Sequence, residues 1–142
     1  MEVLAAEEKS MTDLTPSNLD FLRIAFSDII LKERATDHHG KSSTLCSQRR
    51  TFVFTNGTYL SITEILQAGR IERYYYEWFN SKKEVIIKFH SEPHEDKRYQ
   101  TMTERFHINT ISTLDEEKRL PNQYYQDLNQ VLNFIRTCMA IH

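Results

Sequence analysis

Cysteine, glycine and proline are all scarce in this chain: its 142 residues include two Cys, three Gly and three Pro. Cys46 and Cys138 lie too far apart in sequence for a redox or zinc-ligand spacing, so both are expected as reduced thiols. So few Gly and Pro leave little room for flexible linker. No apolar run approaches the roughly 18 residues of a membrane span. The opening Met1-Glu2-Val3-Leu4-Ala5-Ala6-Glu7-Glu8 is acidic and short of apolar residues, unlike a secretory signal. A phosphate-cradling Gly loop, a Ser nucleophile elbow and a paired-Cys motif are also missing. These absences together point to a soluble cytoplasmic protein with no membrane association.

What is present can fill a core: 39% of the residues are hydrophobic and 11% aromatic. A chain of this length is most simply one domain, able to bury about 70% of the surface its unfolded form exposes. Its net charge of −2 argues against general polyanion binding. The charge is uneven, however. Residues 41–109 hold 11 Lys+Arg against 8 Asp+Glu and three of the six His, so the middle is mildly basic. That balance suits a phosphate-bearing ligand without requiring one.

The pattern along the chain predicts an α+β fold, an antiparallel β-meander of five to six strands packed with an N-terminal and a C-terminal helix. Residues 1–12 read as a flexible tail and 13–142 as the single domain. Thr15-Pro16-Ser17-Asn18 reads as a helix start, a capping hydroxyl followed by Pro. Leu19, Leu22, Ala25, Phe26 and Ile29 then follow at helical spacing. Residues 28–36 alternate well enough to be a strand or to prolong the helix. Asp37 to Thr44, with His38 and His39, reads as a solvated polar loop.

Arg50–Thr55 and Thr58–Thr63 flank Asn56-Gly57, which suits a type I′ hairpin turn. Arg70–Phe79 and Val85–Phe89 continue the meander. Alternation places Tyr74, Tyr76 and Trp78 together, and sets Lys88 and His90 opposite Phe89. Phe106-His107-Ile108 suggests a last strand, with Arg105 and His107 facing away from the core. Pro121 is expected to open a terminal helix whose stripe is Tyr125, Leu128, Leu132, Ile135 and Met139.

The sharpest chemical cluster is His90-Ser91-Glu92-Pro93-His94 with Arg105-Phe106-His107. Two imidazoles can divide acid and base work near neutral pH, and an adjacent Arg can hold a phosphate. Arg105 and His107, two apart on a strand, would lie roughly 6–7 Å apart, a span that fits one phosphodiester. Surface histidines on a loop and an edge strand would give the same spacing. A metal site fits poorly, because Pro93 keeps His90 and His94 off one helical turn and no Cys joins them. The aromatic strand could stack bases or simply pack. Tyr76 is its candidate ligand residue, since its hydroxyl could orient a phosphate or a histidine. Glu64 could orient a site histidine or face solvent.

The order of these features resembles the TumE-type toxin family of toxin–antitoxin operons. The hairpin Phe54-Thr55-Asn56-Gly57-Thr58-Tyr59-Leu60, Glu64, the strand Tyr74-Tyr75-Tyr76-Glu77-Trp78, Val85–Phe89, Pro93-His94 and Phe106-His107-Ile108 carry the likeness. Pro93, His94 and His107 match the family's His-rich pattern, and Lys88 stands for its Arg. His90 and Ser91 replace its Asp and Asn, while Glu104 and Arg105 replace two histidines. The resemblance implies a small cytoplasmic toxin paired with a helix-turn-helix antitoxin and directed at RNA. Joined to the acid–base chemistry of the residues themselves, an RNA target makes His94, His107 and Arg105 the expected catalytic groups of a metal-independent endoribonuclease. Lys88, Tyr76, Glu64 and His90 bind substrate, and no metal or cofactor is implied. A homodimer is compatible with it. The alternative is a non-catalytic module, or an inactive relative, that docks a partner protein.

Overall fold

The structure is a computed structural model that describes residues 14–91, 106–111, 117–121 and 125–141. The tail read over 1–12 lies outside these. Seven strands form one antiparallel sheet in sequence order: β1 (Ile30–Arg34), β2 (Ser47–Phe54), β3 (Tyr59–Gln67), β4 (Arg70–Phe79), β5 (Val85–Ser91), β6 (Phe106–Ile111) and β7 (Glu117–Pro121). Helices α1 (Leu19–Ala25) and α2 (Leu128–Ile141) flank the strands in sequence. The expected α+β meander is therefore present, with residues 28–36 resolved in favour of a strand. The count rises to seven because Glu117–Pro121 pairs back onto β6. Pro121 thus ends a strand rather than opening a helix. At a sheet edge a missing N–H costs no ladder bond, so Pro is tolerated there.

The meander follows from short turns and alternating β-type residues. Phe54 N–H donates to Thr58 O and Gly57 N–H to Phe54 O, enclosing Thr55, Asn56 and Gly57. Only Gly57 has positive φ there, +86°. This is a type I turn closed by a left-handed Gly, not the two-residue type I′ turn expected at Asn56-Gly57. The type I′ signature appears instead at Ala68 (φ 51°) and Gly69 (φ 75°), between Gln67 and Arg70.

Alternation gives each strand one buried face. Phe52, Phe54, Leu60, Ile62, Tyr74, Tyr76 and Phe89 are fully buried. Leu128, Val131, Leu132 and Ile135 of α2 join them, as do Leu19 and Leu22 of α1. The helix stripe read from sequence is thus largely the packed one, with Phe134 edge-on to Phe89 and Trp78. Helix α1 is capped by Asn18, whose Oδ1 accepts from Phe21 N–H at 3.1 Å. Thr15 does not take that role. Ser17 is turned instead to Glu64, donating from N–H at 3.0 Å and Oγ at 2.5 Å. Arg136 of α2 donates to Ala25 O and Asp28 Oδ1, tying the end of α1 down. Both helices therefore cover one face of the sheet and leave the other open.

Candidate functional site

On the open face, register aligns polar residues in two rows. Ser61, Glu77, Lys88 and Asn109 are successive partners across β3 to β6. Thr63, Tyr75, His90 and His107 form the adjacent row. Directly opposed residues of an antiparallel ladder share a face, and diagonal neighbours are within reach of long side chains. His90 makes such a diagonal contact, its Nε2 lying 3.4 Å from Glu77 Oε2. Lys88 Nζ lies 3.9 Å from the same oxygen. The Tyr75 and His90 rings stand nearly perpendicular, with a 5.0 Å centroid separation.

A loop after β1 folds back over this face. Asp37 Oδ1 accepts from the N–H groups of His39 and Lys41, while Oδ2 accepts from Arg49 Nη1 at 2.8 Å. This turn is pinned to β2 and delivers His38 to the sheet. His38 N–H donates to Ser61 Oγ at 2.9 Å, and its Nδ1 lies 2.8 Å from that oxygen. His38 Nδ1 is also 3.8 Å from Glu77 Oε1. Its ring packs between His39 and Phe79. His38 is therefore part of a built cluster, not of a solvated loop.

Electrostatics follow from this geometry. Burial pushes the Glu77 carboxyl up, but the His90 hydrogen bond and the charges of His90, His38 and Lys88 outweigh it, and the net shift is down. Burial also works upward on Asp37, where the Lys41 and His39 N–H bonds and Arg49 prevail and hold it below its ordinary value. Burial lowers His38, against the pull of Glu77 and Asp37. At neutral pH the cluster is a carboxylate beside a neutral imidazole. A cleft of about 220 Å³ adjoins it, bounded by His38, Arg49, Thr63, Arg73, Tyr75 and Glu77. Larger cavities lie on the helix side, and their linings are mainly apolar side chains and polar groups without paired ionisable residues.

The structure groups some of the residues singled out from sequence and separates others. Lys88 and His90 stand on the open face beside Glu77. His107 occupies the register position opposite His90. His94 and Arg105 lie outside the described residues. Glu64 and Tyr76 are on the covered face, fully buried and bonded to each other, Tyr76 Oη donating to Glu64 Oε2 at 2.6 Å. Gln48 Nε2 donates to the same carboxylate, so Glu64 is saturated by Ser17, Gln48 and Tyr76. Sequence reasoning missed His38 and Glu77. The one signal for Glu77 is a charge between aromatic residues, on the opposite parity from Tyr76. Among the described residues, no three His, Cys, Asp or Glu cluster as a metal site. Among the described residues, too, no helix is long and apolar enough to cross a membrane.

Comparison with known proteins rests on one match. No curated protein and no solved structure matches the chain. A family model described as Toxin TumE matches residues 19–139, which take in α1, all seven strands and nearly all of α2. The chain belongs to the TumE toxin family.

Proposed function

We propose that this protein is the toxin of a toxin–antitoxin pair, acting in the cytoplasm on RNA by metal-independent acid–base cleavage. The carrying observation is the alignment of His90 with His107 on adjacent strands, beside Lys88 and an ionised Glu77. RNA cleavage without metal needs a base for the 2′-hydroxyl, an acid for the leaving oxygen and a cation near the phosphate. The imidazoles of His90, His107 and His94 supply the proton-transfer groups, while Lys88 and Arg105 hold the phosphate. The natural partner is an antitoxin with a DNA-binding helix-turn-helix, which keeps the toxin silent.

The test is induction in growing cells, followed by incubation of purified protein with RNA in the presence of a metal chelator. Growth arrest and RNA fragmentation are expected. His94→Ala or His107→Ala abolishes both, with the circular dichroism spectrum unchanged. Undiminished toxicity in both variants would remove these residues from the site. A stoichiometric protein complex with no RNA cleavage at high protein concentration would replace this reading with a docking module.

A further inference from the structure

His38 comes from a loop far from the other histidines in sequence, yet it shares a carboxylate with one of them. Glu77 Oε1 lies 3.8 Å from His38 Nδ1, and Glu77 Oε2 lies 3.4 Å from His90 Nε2. The His38 ring is fixed on three sides. Ser61 Oγ lies 2.8 Å from Nδ1, and the Phe79 and His39 rings lie at 4.9 and 3.9 Å. Its Nε2 makes no hydrogen bond within the described residues. The side chain keeps 21% exposure along the cleft. Nδ1 thus sits beside a hydroxyl and a carboxylate, while the ring as a whole lines the cleft and stays partly exposed there. That is the arrangement of an oriented general base.

We propose that His38 is the general base of the RNA-cleaving site, with Ser61 and Glu77 as its positioning residues. This inference rests on the RNA-directed reading above. His38 Nε2 takes the proton of a ribose 2′-hydroxyl, and the freed oxygen lone pair forms the O2′–P bond. The P–O5′ bond breaks, and its electron pair leaves with the 5′ oxygen, which receives a proton from His90. The products are a 2′,3′-cyclic phosphate and a free 5′-hydroxyl, and no co-reactant is needed.

The surroundings agree. Burial, with smaller contributions from His39 and Lys88, holds His38 below its ordinary value of 6.5 against Glu77 and Asp37, so it is neutral and able to accept a proton. The adjoining cleft offers the Tyr75 ring and the Arg73 cation to the nucleotide that carries the attacked hydroxyl.

The experiment follows cleavage of a single-stranded RNA oligonucleotide by the full chain across pH. Wild-type kcat/KM should fall on the acid side as His38 becomes protonated. His38→Gln should lower the rate by about 10²–10⁴-fold and abolish that acid limb. His38→Ala should be partly rescued by free imidazole. Glu77→Gln should lower kcat and move the acid limb while KM holds. Should either His38 variant fail to fold, His38 Nε2 in the wild type is followed by ¹⁵N NMR with an uncleavable 2′-deoxy oligonucleotide, and a selective shift is expected. Absence of that shift overturns the proposal. So does a His38→Gln rate near that of wild type, or a loss of rate with the acid limb intact and no imidazole rescue. Cleavage undiminished in His38→Gln overturns this inference alone, whereas no cleavage by the wild type overturns the RNA reading and this inference with it.

Discussion

Glu64 and Glu77 are carboxylates on neighbouring strands that point to opposite sides of the sheet. Glu64 is sealed under α1, where Ser17, Gln48 and Tyr76 donate to it. Its work is mechanical, since it fixes the chain entering α1 onto β3. Tyr76→Phe removes one donor to a buried carboxylate and should cost about 1.5–3 kcal/mol in urea unfolding. RNA cleavage should stay unchanged, because the hydroxyl lies on the covered face. Glu77 faces the open side, and there titration links structure to pH. Glu77, Asp37 and His38 all have folded pKa values below their ordinary ones of 4.5, 3.8 and 6.5. On acidification the unfolded chain therefore binds protons before the folded one does. Their stabilisation is complete above about pH 6.5 and is lost as pH falls, first through the His38 window and then through the carboxylate windows. Urea midpoints measured from about pH 7 down to about pH 4 should decline, and His38→Gln should flatten the upper part of that decline.

At the scale of elements, the turns carry strain that sequence alone locates only in part. Lys83 closes the β4–β5 hairpin with φ +67°, and Ala68 sits at φ +51° in the next hairpin back. A left-handed conformation costs a non-Gly residue roughly 1–2 kcal/mol, partly offset by the entropy that Gly loses on folding. Lys83→Gly should therefore stabilise the protein by about 0.5–1 kcal/mol, read as a raised thermal midpoint. Gly57→Ala should act in the opposite sense by about 1–2 kcal/mol. An added Cβ there would meet Ser81 Cβ at an ordinary 3.6 Å, so the cost lies in the backbone and not in a clash. The meander was legible because each strand pairs with its neighbour through a short turn, and because Phe52, Phe54, Leu60 and Ile62 alternate cleanly. Pro121 was not legible, since Pro serves equally at a helix start and at an edge-strand end. The type of the Asn56-Gly57 turn escaped for a similar reason: the dipeptide tolerates positive φ at both positions, but only Gly57 uses it.

For the whole molecule, helices on one face leave the chemistry to the other. Lys88 and His90 were readable, because strand parity alone sends them away from Phe89. His38 was not, because its position depends on Asp37 meeting Arg49 across a loop that has no periodicity. The net charge of −2 gives the protein no general attraction for RNA, so affinity must come from a local field. Arg49, Arg73 and Lys41 line the open-face cleft, with Lys88 beside Glu77. Arg136 serves the opposite side, bonded to Asp28 and Ala25. Each phosphate neutralised on a single strand contributes about 0.7 to the slope of log affinity against log salt. Fluorescence anisotropy with an uncleavable 2′-deoxy oligonucleotide should give a shallow slope for the wild type, because few cations are available. Arg73→Gln should reduce that slope by about 0.7. Arg136→Gln should leave it unchanged while lowering stability. The reverse pattern, a slope that responds to Arg136 and ignores Arg73, would move the nucleic acid to the helix side and take the open face out of RNA binding.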